Sequence, residues 1–175
     1  PDGSRCTAGP RRRKHAISPV MASPSIRPLR ADDIARVAEI ERRVFSDPWS
    51  KRSFEELLAQ RAVRGFAAHD QRGLLIGYCV CSLAADQGEI LNLAVEPRVL
   101  RRGVGTALVA AMLEWLRGEG ADRVFLEVRR SNEAAIGVYQ RAGFVPLGTR
   151  LDYYRDPRED ALTMALDPAP GAARK

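Results

Sequence analysis

Apolar residues along this chain recur with two periods, and the switches between them mark out the elements. Residues 25–29 form a short extended segment that reads as a first strand. Ile34, Val37, Ile40, Val44 and Phe45 then recur at helical spacing, behind Asp32 or Asp33, either of which can cap a helix. Ser46-Asp47-Pro48 ends that helix, because a residue before proline is pushed out of the helical region. Ser50 caps a second helix carrying Phe54, Leu57 and Leu58. Residues 65–69 and 74–84 read as the strands of a hairpin turned at Asp70-Gln71-Arg72-Gly73. Asp86-Gln87-Gly88 turns the chain into a third strand, 89–95, and the short connections among these three predict antiparallel pairing.

The second half carries the strongest helical pattern, 103–117, apolar on most faces from Thr106 to Leu116 and ended by Gly118 and Gly120. Residues 123–128 alternate: Val124, Leu126 and Val128 point one way, Phe125, Glu127 and Arg129 the other. Ser131 or Asn132 caps a helix through Ala134, Ala135, Val138 and Tyr139, closed by Gly143. Residues 144–154 and 161–166 read as a last pair of strands joined through 155–160. This order predicts an α+β fold: a mixed, mostly antiparallel sheet of about seven strands flanked by four helices. One domain is expected over 25–167, after a disordered basic tail over 1–24 and before a loose tail over 168–175.

The net charge of +6 suggests a nucleic-acid partner until it is located. Residues 1–20 hold Arg5, Arg11, Arg12, Arg13 and Lys14 against Asp2, a net of +4, and Arg174 and Lys175 add +2. Residues 21–173 carry 21 basic and 21 acidic residues, so nucleic acid is not the expected partner of the folded part. Met21 reads as the natural start, with 1–20 an upstream extension; an arginine-rich transit segment is the competing reading, against which no amphipathic period is visible. No apolar run approaches the roughly 20 residues of a membrane span, so no membrane partner is expected. Cys6, Cys79 and Cys81 provide neither a disulfide framework nor a zinc pattern, and Cys79 and Cys81 read as small buried hydrophobes in a reducing cytoplasm. His15 and His69 lack the neighbours of a triad or a metal site, so no metal is expected.

Chemistry concentrates in residues 91–106, LNLAVEPRVLRRGVGT: an apolar strand, a turn opened by Glu-Pro, and a glycine-spaced helix start. Such a unit turns several backbone N–H groups toward one anion. Gly103 and Gly105 let the backbone approach a diphosphate, and Arg101 and Arg102 add charge. No Gly-Lys-Ser/Thr follows, which excludes a Walker loop. The same residues also describe an ordinary glycine-opened helix with two surface arginines.

Several ordered segments decide between these readings: Asp47-Pro-Trp-Ser50, Leu91-Asn-Leu-Ala-Val95, Arg101-Arg-Gly-Val-Gly105, Leu126-Glu-Val-Arg-x-Ser-Asn132, Ala135-Ile136-x-x-Tyr139, Gly143-Phe144, Tyr153-Tyr154 and Arg158-Glu-Asp-Ala161. With these segments the chain resembles the GNAT acetyltransferase superfamily over residues 26–166 and, within it, the bacterial ribosomal-protein-alanine N-acetyltransferases. The resemblance implies a bulge in the strand over 91–95, which splays from the next strand at the centre of the sheet, and acetyl-CoA as cosubstrate. Its pantetheine arm would pair with Leu93, Ala94 and Val95, and its diphosphate would sit on Arg101, Arg102, Gly103, Val104, Gly105 and Thr106. It implies that Asn132 touches the cofactor, that a backbone N–H near Val95 stabilises the oxyanion, and that Glu127 is the base and Tyr139 the acid. Trp49, Tyr153 and Tyr154 would line a groove for a protein N-terminal peptide, with a ribosomal protein beginning in alanine as the acceptor. Transfer is direct, so Cys79 and Cys81 should be dispensable. The chain departs from the family's phosphate-loop pattern at Leu100, where glutamine or arginine is usual, so grip there must come from backbone N–H groups. A lysine or small-amine acceptor, a non-catalytic acyl-CoA sensor, and nucleic-acid binding through the arginine tail are the alternatives. Glu41 and Asp160 are further acids whose place relative to a positively charged peptide is open.

Overall fold

The computed structural model describes residues 23–167; Met21, the arginine cluster and the C-terminal tail lie outside them. The elements follow the order β1 (Ser25–Pro28), α1 (Ile34–Val44), α2 (Lys51–Leu58), β2 (Val63–His69), β3 (Leu75–Ala84), β4 (Gln87–Val95), α3 (Val104–Gly118), β5 (Arg123–Arg129), α4 (Glu133–Arg141), β6 (Val145–Arg155) and β7 (Arg158–Leu166). The strands form one seven-stranded sheet in the order β1-β2-β3-β4-β5-β7-β6. Every neighbouring pair is antiparallel except β4 and β5, which run parallel because α3 carries the chain back across the sheet. This is the expected α+β architecture of seven strands and four helices.

Each face of the sheet has its own core. Ile34, Val37 and Ile40 of α1 and Phe54 of α2 pack on Val63, Ala67, Tyr78 and Val80. Leu108, Met112 and Leu116 of α3 cover Cys79, Cys81, Leu126 and Met164 on the other face, joined by Tyr139 of α4. Cys79 and Cys81 are free thiols inside this second core. The start of α3 can seat against β3 because residue 77 is glycine: a Cβ there would stand 3.0 Å from Ala94 O and 3.2 Å from Val104 Cγ1.

Two irregularities open the middle of the sheet. Val80 pairs with Asn92 but Cys81 pairs with Ile90, which leaves Leu91 as an extra residue in β4. The β4–β5 ladder runs from Gln87–Arg123 to Ile90–Leu126 and stops there. Beyond the bulge the two parallel strands diverge, as the splay expectation requires. The open end of β4 is braced from α1, where Arg36 (2.6 Å) and Arg43 (2.9 Å) both reach the buried carboxylate of Glu96.

The remaining differences from expectation have local causes. Ser50 caps α2, accepting from Ser53 N at 3.0 Å, and Asn132 caps α4. Asp33, by contrast, does not cap α1. Its carboxylate is bound to Arg27 at 2.7 and 2.8 Å and to Arg30 N at 2.8 Å, stitching β1 to the turn before the helix. The connection read as residues 155–160 shrinks to Asp156-Pro157, because Arg158, Glu159 and Asp160 belong to β7. Each of those three charges has a cross-strand or turn partner, so polarity there does not mark a loop. No helix among the described residues is long and apolar enough to cross a membrane.

Candidate active site

The diverging halves of β4 and β5 enclose a cleft of about 790 Å³. Of the residues singled out from the sequence, Trp49, Leu93, Glu127, Asn132, Tyr139, Tyr153 and Tyr154 all line it. Glu127 stands on the β5 face opposite the buried Val124, Leu126 and Val128, where strand alternation puts it. Its carboxylate receives Arg150 Nη1 on Oε1 and the Tyr153 hydroxyl on Oε2 at 3.1 Å. Adjacent residues of a regular strand point to opposite faces, yet Tyr153 and Tyr154 both reach the cleft. The register shift between Arg150 and Tyr154, with Asp152 at φ 53°, makes this possible. The Asp160 carboxylate holds that bulge by accepting from Asp152 N at 2.9 Å, so Asp160 supports the groove from within β7.

Trp49 is positioned by a buried acid. Glu41 is 1% exposed and lies on the stripe of α1 that also carries Ile34, Val37 and Ala38. It accepts from Trp49 N and Asn92 Nδ2, each at 3.0 Å, and from the Tyr78 hydroxyl. One carboxylate thus ties the α1–α2 loop to β3 and to β4 beside the bulge, and the Trp49 ring rests on Phe54 at 5.4 Å. Across the cleft, Ser46 Oγ donates to Asp156 O, so the α1–α2 loop meets the β6–β7 turn. Arg129 secures that turn, donating to Asp156 O (2.6 Å) and Pro157 O (3.0 Å) while its guanidinium covers the Tyr154 ring at 4.2 Å. Glu159 accepts from Ser131 N at 2.6 Å and from Arg129, which pins the turn that leads into α4.

Tyr139 is 6% exposed and packs edge-on to Phe144 at 5.8 Å. Burial raises its pKa far above the usual phenol range, so it holds its proton at any physiological pH. Tyr154 is raised to about 12, chiefly by burial and next by the neighbouring Tyr153. Glu89 on β4 is the register partner of Phe125 and so shares the face of Glu127. Partial burial, and then the Glu127 charge, raise the Glu89 pKa.

The predicted phosphate loop lies beyond the cleft, at the start of α3. Gly103 adopts φ 79°, a left-handed conformation that favours glycine, and no side chain caps the helix it opens. The first intrahelical bond is Ala107 N to Gly103 O, which leaves the N–H groups of Val104, Gly105 and Thr106 directed out of the helix end. Arg101 is also left-handed, at φ 61°, costing on the order of 1 kcal/mol for a residue with a side chain. Gly105 serves no packing purpose within the protein: a Cβ there would meet nothing nearer than Val95 Cγ2 at 3.8 Å and Val138 Cγ2 at 3.9 Å. Those two contacts place Gly105 between the end of β4 and α4. Glu96 N donates to Ile76 O across the ladder, so by strand alternation the N–H groups of Val95 and Leu93 face away from β3, into the splay. Ala94 points into the α1 side of the core instead. Arg102 and Val104 border a separate cavity of about 520 Å³ beside the β2–β3 turn, and Leu100 is 55% exposed. The strand end, helix end and cleft leave room for an extended anionic ligand: outward N–H groups along β4 and at the start of α3, and space where glycine lacks a side chain.

Sequence reasoning left Glu89, Arg129 and Arg150 without roles in the site and the place of Glu41 open. Only Glu41 left a local sign, a charged residue on an otherwise apolar helix stripe.

Residues 34–144 match the acetyltransferase (GNAT) family. A Bacillus subtilis protein provisionally named a ribosomal protein bS18-alanine N-acetyltransferase is 36% identical over 140 residues, 80% of this chain and 93% of that protein. The Escherichia coli K12 ribosomal protein bS18-alanine N-acetyltransferase is 33% identical over 144 residues, covering 81% and 96%. The crystal structure of the Escherichia coli ribosomal-protein-S18-alanine N-acetyltransferase superposes with a TM-score of 0.77 at 30% identity, over 87% of this chain and 98% of that one. With this coverage, and with a splayed parallel pair at the centre of its sheet, the chain belongs to the GNAT acetyltransferase family and is an acetyl-CoA-dependent N-acetyltransferase.

Proposed function

We propose that the protein transfers the acetyl group of acetyl-CoA to the N-terminal α-amine of a protein, and that the acceptor is a ribosomal protein beginning with alanine. The observation that carries this reading is the splay between β4 and β5. It sets the outward N–H group of Leu93 and the side chains of Glu127, Asn132 and Tyr139 around one opening, with Val95 two residues further along the same strand edge. The named substrates of the Bacillus subtilis and Escherichia coli relatives supply the acceptor class. Ribosomal proteins are made in the cytoplasm, which is where this reading puts the enzyme.

The chemistry follows from the groups present. The pantetheine arm pairs along Leu93, Ala94 and Val95, the diphosphate takes the N–H groups from Gly103 to Thr106 with Arg101 and Arg102 as counter-charges, and the free amide of Asn132 reaches the cofactor while its Oδ1 caps α4. An acceptor ammonium has no lone pair. Glu127 takes one proton from it, directly or through a water, and an α-amine with a pKa near 8 needs only modest help. The amine nitrogen attacks the thioester carbon, and the Val95 N–H stabilises the developing oxyanion, a kind of contact worth about 3 kcal/mol per donor. The C–S bond breaks, the thiolate of CoA leaves and takes a proton from Tyr139, and the proton still on the acylated nitrogen passes to the Tyr139 oxygen, so that a neutral amide, the CoA thiol and neutral Tyr139 result while Glu127 releases its proton to solvent. Trp49, Tyr153 and Tyr154 shape the groove that admits a peptide end. No step requires Cys79 or Cys81.

Mass spectrometry of alanine-initiated ribosomal peptides incubated with enzyme and acetyl-CoA tests the acceptor. The expected product carries one acetyl group on the α-amine; acetylation confined to lysine side chains would overturn the reading.

A further inference from the structure

Both carboxylate oxygens of Glu127 are engaged from β6. Arg150 holds Oε1 and Tyr153 holds Oε2, with the Arg150 guanidinium stacked 4.7 Å from the Tyr153 ring centroid. The two sides of the ion pair differ in freedom. The Arg150 side chain is 58% exposed, whereas that of Glu127 is 19% exposed on a central strand. Glu127 is the only acid Arg150 pairs with among the described residues. An exposed arginine pair of this kind is weak and exchangeable. An acceptor ammonium entering the cleft must approach the same carboxylate with the same charge. Glu89 stands on the same face one strand over, so Glu127 without a cation would confront a second carboxylate.

We propose that Arg150 is a positioning residue that stands in for the acceptor's ammonium: it occupies Glu127 Oε1 until the α-amine arrives and is displaced by it. The proposal rests on Glu127 being the base. Until displacement, Arg150 holds the Glu127 carboxylate aimed into the cleft. On displacement the guanidinium swings to solvent, the ammonium takes its place, and the charge around the two acids is conserved. Glu127 then accepts a proton with its strongest rival for that oxygen gone. A cation admitted to the site must compete with a guanidinium, which favours one that brings binding energy of its own from a peptide chain in the groove. The charged and titratable groups facing Glu127 are Arg150, Tyr153 and Tyr154 of β6 and Glu89 of β4; Arg129 and Glu159 pair with each other beside it.

The test combines Arg150→Gln, Arg150→Lys and Glu127→Gln. Steady-state kinetics reads the KM for an alanine-initiated peptide, and calorimetry reads the affinity for the same peptide. Arg150→Gln should lower that KM severalfold, because the ammonium no longer has to displace a guanidinium. It should tighten binding in calorimetry by a similar factor. Arg150→Lys should restore most of both values. Loss of a merely structural arginine would raise KM and weaken the peptide. Unchanged or weakened binding in Arg150→Gln, with Glu127→Gln inactive, overturns the proposal alone. Wild-type kcat in Glu127→Gln overturns the base assignment and the proposal with it.

Discussion

Replacing Glu41 with alanine tests whether the acceptor groove is held by one buried carboxylate. The substitution leaves the Tyr78 hydroxyl, the Trp49 N–H and the Asn92 amide without their acceptor. An unsatisfied buried donor costs about 1–3 kcal/mol. Tyr78 is fully buried and bears that cost in full, whereas Trp49 and Asn92 border the cleft and can recover part of it from water. The sum comes to about 3–4 kcal/mol, a large share of the roughly 5–15 kcal/mol that holds a typical domain together. In a chain of this size it lowers Tm by about 10 °C. Glu41→Gln keeps the volume and one acceptor, and the Tyr78 hydroxyl can turn to accept from the new amide, so it should cost only about 1 kcal/mol. The two variants also differ in pH dependence. Burial, against the pull of the Tyr78 hydrogen bond, raises the Glu41 pKa above its usual 4.5. The native state then binds more protons than the unfolded one, so the stability this group contributes is complete below pH 4.5 and is lost as pH rises through the raised value. Glu41→Gln removes that decline, and its penalty relative to wild type should therefore shrink from acid to neutral pH. Denaturation of the full chain, followed by circular dichroism across pH, measures all three quantities, and peptide KM should rise in Glu41→Ala as the Trp49 loop loosens. Wild-type stability and wild-type KM in Glu41→Ala would refute the assignment of Glu41 as the tie.

Other substitutions separate chemistry from structure. Glu127→Gln should lower kcat about 10²- to 10⁴-fold, as loss of a general base does, and Tyr139→Phe should lower it with little change in Tm, because the ring still packs on Phe144; steady-state kinetics with an alanyl peptide checks both. Gly103→Ala should cost about 1 kcal/mol, since residue 103 sits at φ 79°, and thermal melts read that loss. Gly105→Ala should leave Tm unchanged or raise it, because its new Cβ meets only ordinary contacts, while acetyl-CoA KM rises as the methyl group enters the space we propose for the diphosphate. Cys79→Ala and Cys81→Ala should retain kcat, and the native thiols should resist iodoacetamide, since burial pushes Cys81 up to about 12 and raises Cys79 well above the usual thiol range.

What was legible in the sequence was local. Ser50 and Asn132 identify themselves as caps because a cap bonds to an N–H three residues away. The apolar run of α3 and the alternation of β5 announce burial because periodicity is a property of one element. What stayed hidden depends on pairs distant in the chain. Nothing in 155–160 says that Arg158, Glu159 and Asp160 will lie in a ladder, since Asp152, the partner of Arg158 and Asp160, and Arg129 and Ser131, the partners of Glu159, come from other elements or turns. The Leu91 bulge has no residue signature either, because leucine suits both a regular and a bulged strand. The same distinction separates the site residues. The face of Glu127 follows from its strand position and its candidacy from the family resemblance, but Arg150 looks like any surface arginine until β6 is folded two strands away from β5. Glu41 is the instructive intermediate. Its spacing from Val37 and Ile34 places it on the core stripe of α1, where an acid is costly unless its oxygens are satisfied. A charge at a core position therefore demands partners, and those it finds are Tyr78 and Asn92 on the sheet and Trp49 on the loop. The core beneath α1 and the mouth of the groove are consequently one unit. Loosening either should loosen the other, which is why the stability and the peptide KM of Glu41→Ala ought to change together.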